Sequence, residues 1–363
     1  MSSAGEEAND QSCFAGGPAI SADGRFVAFV SLASNLVSDD TNGEYDVFVH
    51  DRETGVTERV NVSSSGGQAG RGGDSPSLSA DGRFVAFRSR AGNLVEDDRN
   101  GAQDVFVRDL QTGVTERVST SSSGQEGTKS SAEPSISADG RFVGFKSAAP
   151  NLVRGDTNRV ADIFVHNRVS GNTWRVSVNS TGAQADRTSY RPSISGNGRL
   201  VAFASFASNL VRGDGNEDHD VFVRDRKTHQ TRRASVTSAG AEGRRGGHDP
   251  VISGNGRFVA FESYSLAYPG DRKREDVFVR DRWERKTRQV SVSSAGVPGN
   301  QHSESPTISA DGRFVAFHSI ATNLVDGDTN RASDVFVRGP LVVARVTPRR
   351  SPGRRSGRPG RRS

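Results

Sequence analysis

Cysteine is nearly absent from this chain. Cys13 stands alone, so neither an internal disulfide nor a cysteine-based zinc site can form. Lysine is also scarce, at five of the 48 basic residues, an arginine bias typical of a GC-rich bacterial gene and silent about mechanism. No stretch approaches the roughly 18 to 20 apolar residues that a membrane helix needs. Met1 is followed by small and acidic residues, not by the basic and then apolar segment of a secretory signal. A sustained apolar stripe at i, i+3, i+4 is missing too, and glycine interrupts every segment, which argues against helix. The marks of common catalysis are absent: no Gly-x-Ser-x-Gly elbow, no His-Glu-x-x-His and no Gly-rich phosphate loop with Lys. The seven histidines (His50, His166, His219, His229, His248, His302 and His318) are scattered over different parts of the sequence pattern. Single residues spread along the chain could still assemble a catalytic site, so the chain reads as leaning towards a non-enzyme without excluding catalysis.

The formal charge of +5 misleads. Eight arginines lie between Arg345 and Arg362, and removing them leaves the remainder at −3. The basic character therefore belongs to a tail. The body has no net basic field for nucleic acid, which only the tail would touch.

What the chain does contain is a block repeated six times. The blocks begin at Pro18, Pro76, Pro134, Pro192, Pro250 and Pro306, spaced by 58 residues four times and by 56 at the end. Each reads approximately Pro-Ser-Ile-Ser-Ala-Asp-Gly-Arg-Phe-Val-Ala-Phe, then Asn-Leu-Val, then Asp-Val-Phe-Val-Arg-Asp, then Thr-Gly-x-Thr-x-Arg-Val-Ser-Val. A period this regular means stacked units forming one body, so the length does not imply several domains. Each block predicts four short strands. The first follows its proline, which opens the strand. Asp-Gly or Asn-Gly then makes the hairpin turn, because that turn needs positive φ. Arg-Phe-Val-Ala-Phe and Asp-Val-Phe-Val are aromatic and β-branched. The last segment alternates as a half-exposed outer strand does. Of the 19 phenylalanines, 17 fall in three repeat slots, as Phe84, Phe87 and Phe106 do in block two, and they read as packing between units. The expected architecture is all-β: a six-bladed β-propeller of four-stranded antiparallel blades over residues 18–347.

These motifs resemble the WD40-like repeat of TolB-type β-propellers, in which Pro-x-Trp/Phe-Ser-Pro-Asp-Gly-Arg/Lys is followed by Asp-Ile/Leu-Tyr/Trp. The resemblance runs from Pro18 to about Arg338. The family's Ser-Pro-Asp-Gly has Ala22, Ala80, Ala138 and Ala310, or Gly196 and Gly254, in the proline slot, and Asn197 and Asn255 for Asp. The α/β domain that precedes the propeller in TolB itself is missing, as are the peptidase domains that accompany such propellers elsewhere. The resemblance implies a periplasmic or secreted protein; with no signal segment visible, the cytoplasm is the alternative.

Antiparallel order puts the first-to-second and third-to-fourth connections on one face, where they are short turns. The longer second-to-third loops and blade connectors share the other face. Variation between blocks concentrates there, and so would a binding site. The residues just before each proline differ most: Asp74, Glu133, Tyr190, Arg191, His248, Asp249 and Glu304 are the ligand-binding candidates, a mixed polar ring at the channel mouth. Protein, peptide or glycan would be the partner of a monomeric binding module, or this ring would serve a propeller hydrolase or lyase.

The second-to-third loops carry Asp-x-Asn and a later Asp: Asp40, Asn42 and Asp46; Asp98, Asn100 and Asp104; Asp156, Asn158 and Asp162; Asp214, Asn216 and Asp220; Asp328, Asn330 and Asp334. Block five has only Asp271 and Asp276. Closely spaced oxygens suit calcium, the one cofactor the sequence suggests; Asx-turns are the simpler account. Arg154-Gly155-Asp156 and Arg212-Gly213-Asp214 match an adhesion tripeptide but sit in a slot that varies freely. Residues 1–17 resemble a blade connector, since Ser2-Ser3-Ala4-Gly5 repeats Ser293-Ser294-Ala295-Gly296. Residues 348–363 are Arg, Pro, Gly and Ser only, a composition that cannot bury a core and predicts disorder.

Overall fold

A computed structural model describes residues 1–12, 17–264 and 274–341. Cys13, Asp271 and the stretch 342–363, with the tail and most of the expected final strand, lie outside the described residues. Among the described residues every regular element is a strand. Blade two runs Gly73–Leu78, Phe84–Ser89, Asp104–Asp109 and Val114–Arg117, side by side in that order and antiparallel throughout. Blades one, three, four and five repeat this order. Blade six shows three strands, Ser303–Ile308, Val315–Ser319 and Asp334–Arg338. Six such sheets make the six-bladed propeller that the repeat predicts.

The repeated phenylalanines pack as their slots require. Phe87 and Phe106 are cross-strand partners with ring centroids 5.7 Å apart, and both are fully buried. The forward face of blade two (Ala86, Val105, Val107 and Val118) packs against Val143, Phe145 and Phe164 of blade three. The same cluster forms at each junction from blades one and two to blades five and six. Burying each ring contributes about 1.5–3 kcal/mol. A row of backbone bonds near the inner edge ties the blades further: Ala22 N–H donates to Ala80 O at 2.8 Å, Ala80 to Ala138 at 3.0 Å and Ala138 to Gly196 at 2.9 Å. Blade six ends the series. Its Val335 and Val337 are each 68% exposed, where Val105 and Val107 are fully covered.

Pro18 opens its strand, Ala19–Ile20, but the other five prolines lie inside theirs. Pro76 is the fourth residue of Gly73–Leu78, and the ladder shifts register between Asp74 and Ser77. The proline is tolerated because a bulge has already interrupted the hydrogen-bond ladder. The residue before it pays in backbone strain: Ser75, Glu133, Arg191, Asp249 and Ser305 all have φ between 46° and 56°. Each is a side-chain-bearing residue in the left-handed region, costing on the order of 1 kcal/mol or more.

The amino-terminal residues complete blade one from outside. Thr57 Oγ1 donates to Met1 O at 2.7 Å and its N–H to Ser3 Oγ at 2.9 Å. Thr115 does the same to Val62 O at 2.6 Å and Ser64 Oγ at 3.0 Å. Met1–Ser3 thus takes the place over blade one that Val62–Ser64, the end of blade one, takes over blade two.

Candidate functional site

The Asp-x-Asn loops fold the same way in blades one to four. In blade three, Asn158 Nδ2 donates to Asp162 at 2.8 Å and to Ala185 O at 2.9 Å, while its own Oδ1 accepts from Val160 N–H at 3.2 Å. Ser177 Oγ donates to Asp162 at 2.5 Å, and Arg175 reaches Asp162 at 3.3 Å and Asp156 at 3.1 Å. Arg59, Arg117 and Arg233 lie equally between the two carboxylates of blades one, two and four. Asp46, Asp104, Asp162 and Asp220 are fully buried. In these four loops the positions between the carboxylates hold a guanidinium, and a calcium ion would have to displace it. In blade six, Asn330 bonds Asp334 at 3.2 Å and the loop is exposed.

The pre-proline candidates lie on the long-loop face, beside the second-to-third loops. The bulge turns each of them relative to its strand. Arg191 links two neighbours: its Nε is 3.2 Å from Asp249, and its N–H donates to Glu133 Oε2 at 2.6 Å. Lys146 meets Glu133 at 3.3 Å. Asp74 is bound by Arg88 in blade two, beside a shallow hollow of about 190 Å³ lined by Tyr45, Arg71, Arg90 and Gln103. Glu304 opposes His318 in its ladder and joins none of these pairs among the described residues.

Tyr190 and His248 belong to a row of rings crossing blades four to six. Tyr190 stacks on Phe206 at 5.8 Å, Phe206 lies 5.2 Å from His219, and His219 meets His248 edge-on at 4.7 Å. Tyr264 continues the row at 6.3 Å from His248, with His302 6.4 Å further on. Phe206 is 39% exposed. Charge is packed densely beneath the row. His248 Nε2 touches Glu275, its Nδ1 is 3.6 Å from Glu262, and Asp249 is 4.0 Å away. Burial alone would lower the imidazole, but Glu275, Glu262 and Asp249 outweigh it and hold His248 above its usual range. Burial pushes Glu262 up to about 7 against the pull of His248. Burial and the neighbouring His248 hold the imidazole of His219 below its usual range. His248, Glu262 and Glu275 bring ligand atoms within 4.8 Å of one another, a set that could hold a divalent metal.

Sequence reasoning missed Phe206, His219, Glu262, Tyr264 and Glu275. The signal was there, within or immediately beside strands that otherwise repeat. The slot of Glu262 holds Val30, Arg88, Lys146, Ala204 and His318 in the other blades; the slot of Glu275 holds Tyr45, Gln103, Ala161, His219 and Ser333.

Another cavity lies away from these residues. About 530 Å³ opens on the short-turn face between blades one and two, lined by Phe26, Val49, Asp51, Glu58, Gly82 and Leu110 among others.

No family model matches this sequence, and no curated protein does. Solved structures do. The β-propeller domain of the Trilobed protease from Pyrococcus furiosus is 12% identical, with 86% of this chain and 78% of that one aligned at a TM-score of 0.51. TolB from Acinetobacter baumannii is 15% identical over 87% of this chain, which spans 61% of that protein, at 0.48. A putative TolB from Agrobacterium tumefaciens is 15% identical over 90% of both chains, also at 0.48. What is shared at such identities is the fold alone, and this chain is a six-bladed β-propeller.

Proposed function

We propose that the chain is a non-catalytic recognition module that binds a peptide segment of a partner protein across the channel mouth of its long-loop face. The row from Tyr190 through Phe206, His219 and His248 to Tyr264 carries this reading. Aromatic rings bury area at low entropic cost and are the residues that dominate protein recognition. Ions of both signs lie beside them: Arg191 pairs with Asp249, and Glu262 and Glu275 stand against His248. A peptide offers both charges in return, which a neutral glycan does not. Among the described residues the partners of His248 are carboxylates and rings, which suits recognition better than a nucleophile–base pair. The TolB-like blades favour a periplasmic or secreted setting.

The reading is tested on peptide and glycan arrays with the wild type, Phe206→Ala and a short-turn-face control, Val169→Ser. Binding to peptides that is lost in Phe206→Ala and kept in Val169→Ser supports it. Binding confined to glycans, or unaffected by Phe206→Ala, refutes it.

A further inference from the structure

The six blades are near copies, so each serves as a control for the next, and four of them keep a side chain that blade two, with Leu110, and blade six, with Pro340, have lost. The third-to-fourth turn begins Asp-Arg in blades one, four and five, at Arg52, Arg226 and Arg282, and Asn-Arg in blade three, at Arg168. Blade two has Leu110 in that slot.

The arginine reaches back over the preceding blade. Arg168 lies with its guanidinium carbon 4.2 Å from the centre of the Phe84 ring. It donates to Gly140 O at 2.8 Å and pairs with the Glu116 carboxylate. Arg226 repeats this at the next junction, 4.6 Å over Phe142 and 2.6 Å from Gly198 O, with Trp174 at 4.9 Å in place of the glutamate. Arg282 donates to Gly256 O.

The junction of blades one and two keeps every partner of Arg168 one repeat earlier. Phe26 stands for Phe84, Gly82 for Gly140 and Glu58 for Glu116. All three line the 530 Å³ cavity, with Leu110 beside them. A leucine has neither the length nor the donors to replace an arginine there. The cavity is thus a guanidinium cradle without its guanidinium: an aromatic face for cation–π stacking, a carbonyl and a carboxylate as acceptors.

We propose that this cavity is a binding site for a guanidinium group, that is, for an arginine side chain. Two sources share that chemistry, a partner's arginine and the eight arginines of this chain's own segment 345–362. The last described residue points to the second as well. Leu341 N–H bonds Arg313 O at 2.7 Å as Arg282 N–H bonds Arg257 O at 2.9 Å, so the chain passes residue 341 on the same short-turn face as the cavity. The site is on the opposite face from the ring of Tyr190 and His248, and the proposal stands whether or not peptides bind there.

The test titrates arginine amide into the full chain by calorimetry, with citrulline amide, its uncharged near-isostere, as control. Saturable binding of arginine amide alone is expected. Glu58→Gln should weaken it about ten-fold, the worth of one charge-assisted bond. Leu110→Arg should abolish it and raise the melting midpoint, because the site is then filled from within. If the tail is the source, binding strengthens when its eight arginines are changed to serine. Equal binding of both amides, unchanged binding in Leu110→Arg, or no binding at about 10 mM to either the wild type or the serine-tailed chain overturns the proposal.

Discussion

The backbone N–H of Arg191 donates to Oε2 of Glu133 at 2.6 Å, across a separation of 58 residues, one repeat. The bond joins the strained pre-proline position of blade four to the same position in blade three, at φ values of 52° and 56°. Glu133→Ala should cost about 1 kcal/mol of stability, and Glu133→Gln, which keeps an acceptor, less. Arg191→Gly removes the left-handed strain and should leave the melting midpoint unchanged or higher while weakening peptide binding. Thermal melts of the three variants check this.

Asp162 accepts from Asn158, Ser177 and Arg175 with no exposure of its own. Asp162→Ala leaves the nearly buried Arg175 short of a countercharge, and the expected loss is about 3–5 kcal/mol. Because the guanidinium holds the space between Asp156 and Asp162, adding calcium or a chelator should not move the wild-type melting midpoint. Both are read in one series of melts.

Gly82 has φ of +74°, and a Cβ there would fall 2.1 Å from Cδ2 of Phe26 in blade one. Gly82→Ala therefore meets both backbone strain and an interblade ring. Gly124, at +80° with open space around it, meets the strain alone. Gly82→Ala should cost about 1–3 kcal/mol beyond the roughly 1–2 kcal/mol expected of Gly124→Ala, as denaturant unfolding would measure.

Arg83 and Asp109 form two parallel bonds, at 2.9 and 2.7 Å. The guanidinium holds the carboxyl of Asp109 far below its usual range. Its folded pKa is thus depressed relative to an unfolded value near 3.9. The stabilisation is complete above that value and disappears as pH falls through it towards the folded pKa. With Arg83 38% exposed, solvent screening keeps the contribution of this pair small. Stability should fall less steeply between about pH 5 and 2 in Asp109→Asn than in the wild type.

Much of this molecule was legible in its repeat, because Phe87, Phe106 and the Asp-Gly turns do the same work in each blade. The proline was misplaced: Pro76 looks like a strand start until the bulge at Asp74 and Ser77 shows how a proline fits inside. The pre-proline residues Tyr190 and His248 were legible as variable positions. Their neighbours Phe206, Glu262 and Glu275 were not, since they sit in or beside strands whose surrounding letters repeat, and Glu262 and Glu275 meet His248 only when three strands align. Leu110 was visible as a departure from arginine, but its consequence depends on Phe26, 84 residues earlier in the neighbouring blade.

The central claim is that the slots where blades agree make the scaffold and those where they disagree make the site. Blade three supplies the control, with Ala132, Ala148 and Ala161 where blade four has Tyr190, Phe206 and His219. The decisive measurement grafts one blade's letters onto the other in the triple variant Tyr190→Ala, Phe206→Ala and His219→Ala, and reads peptide-array binding beside the melting curve. The account predicts a cooperative fold like the wild type's with its peptide binding gone. A folded triple variant that still binds the wild-type peptides would contradict it.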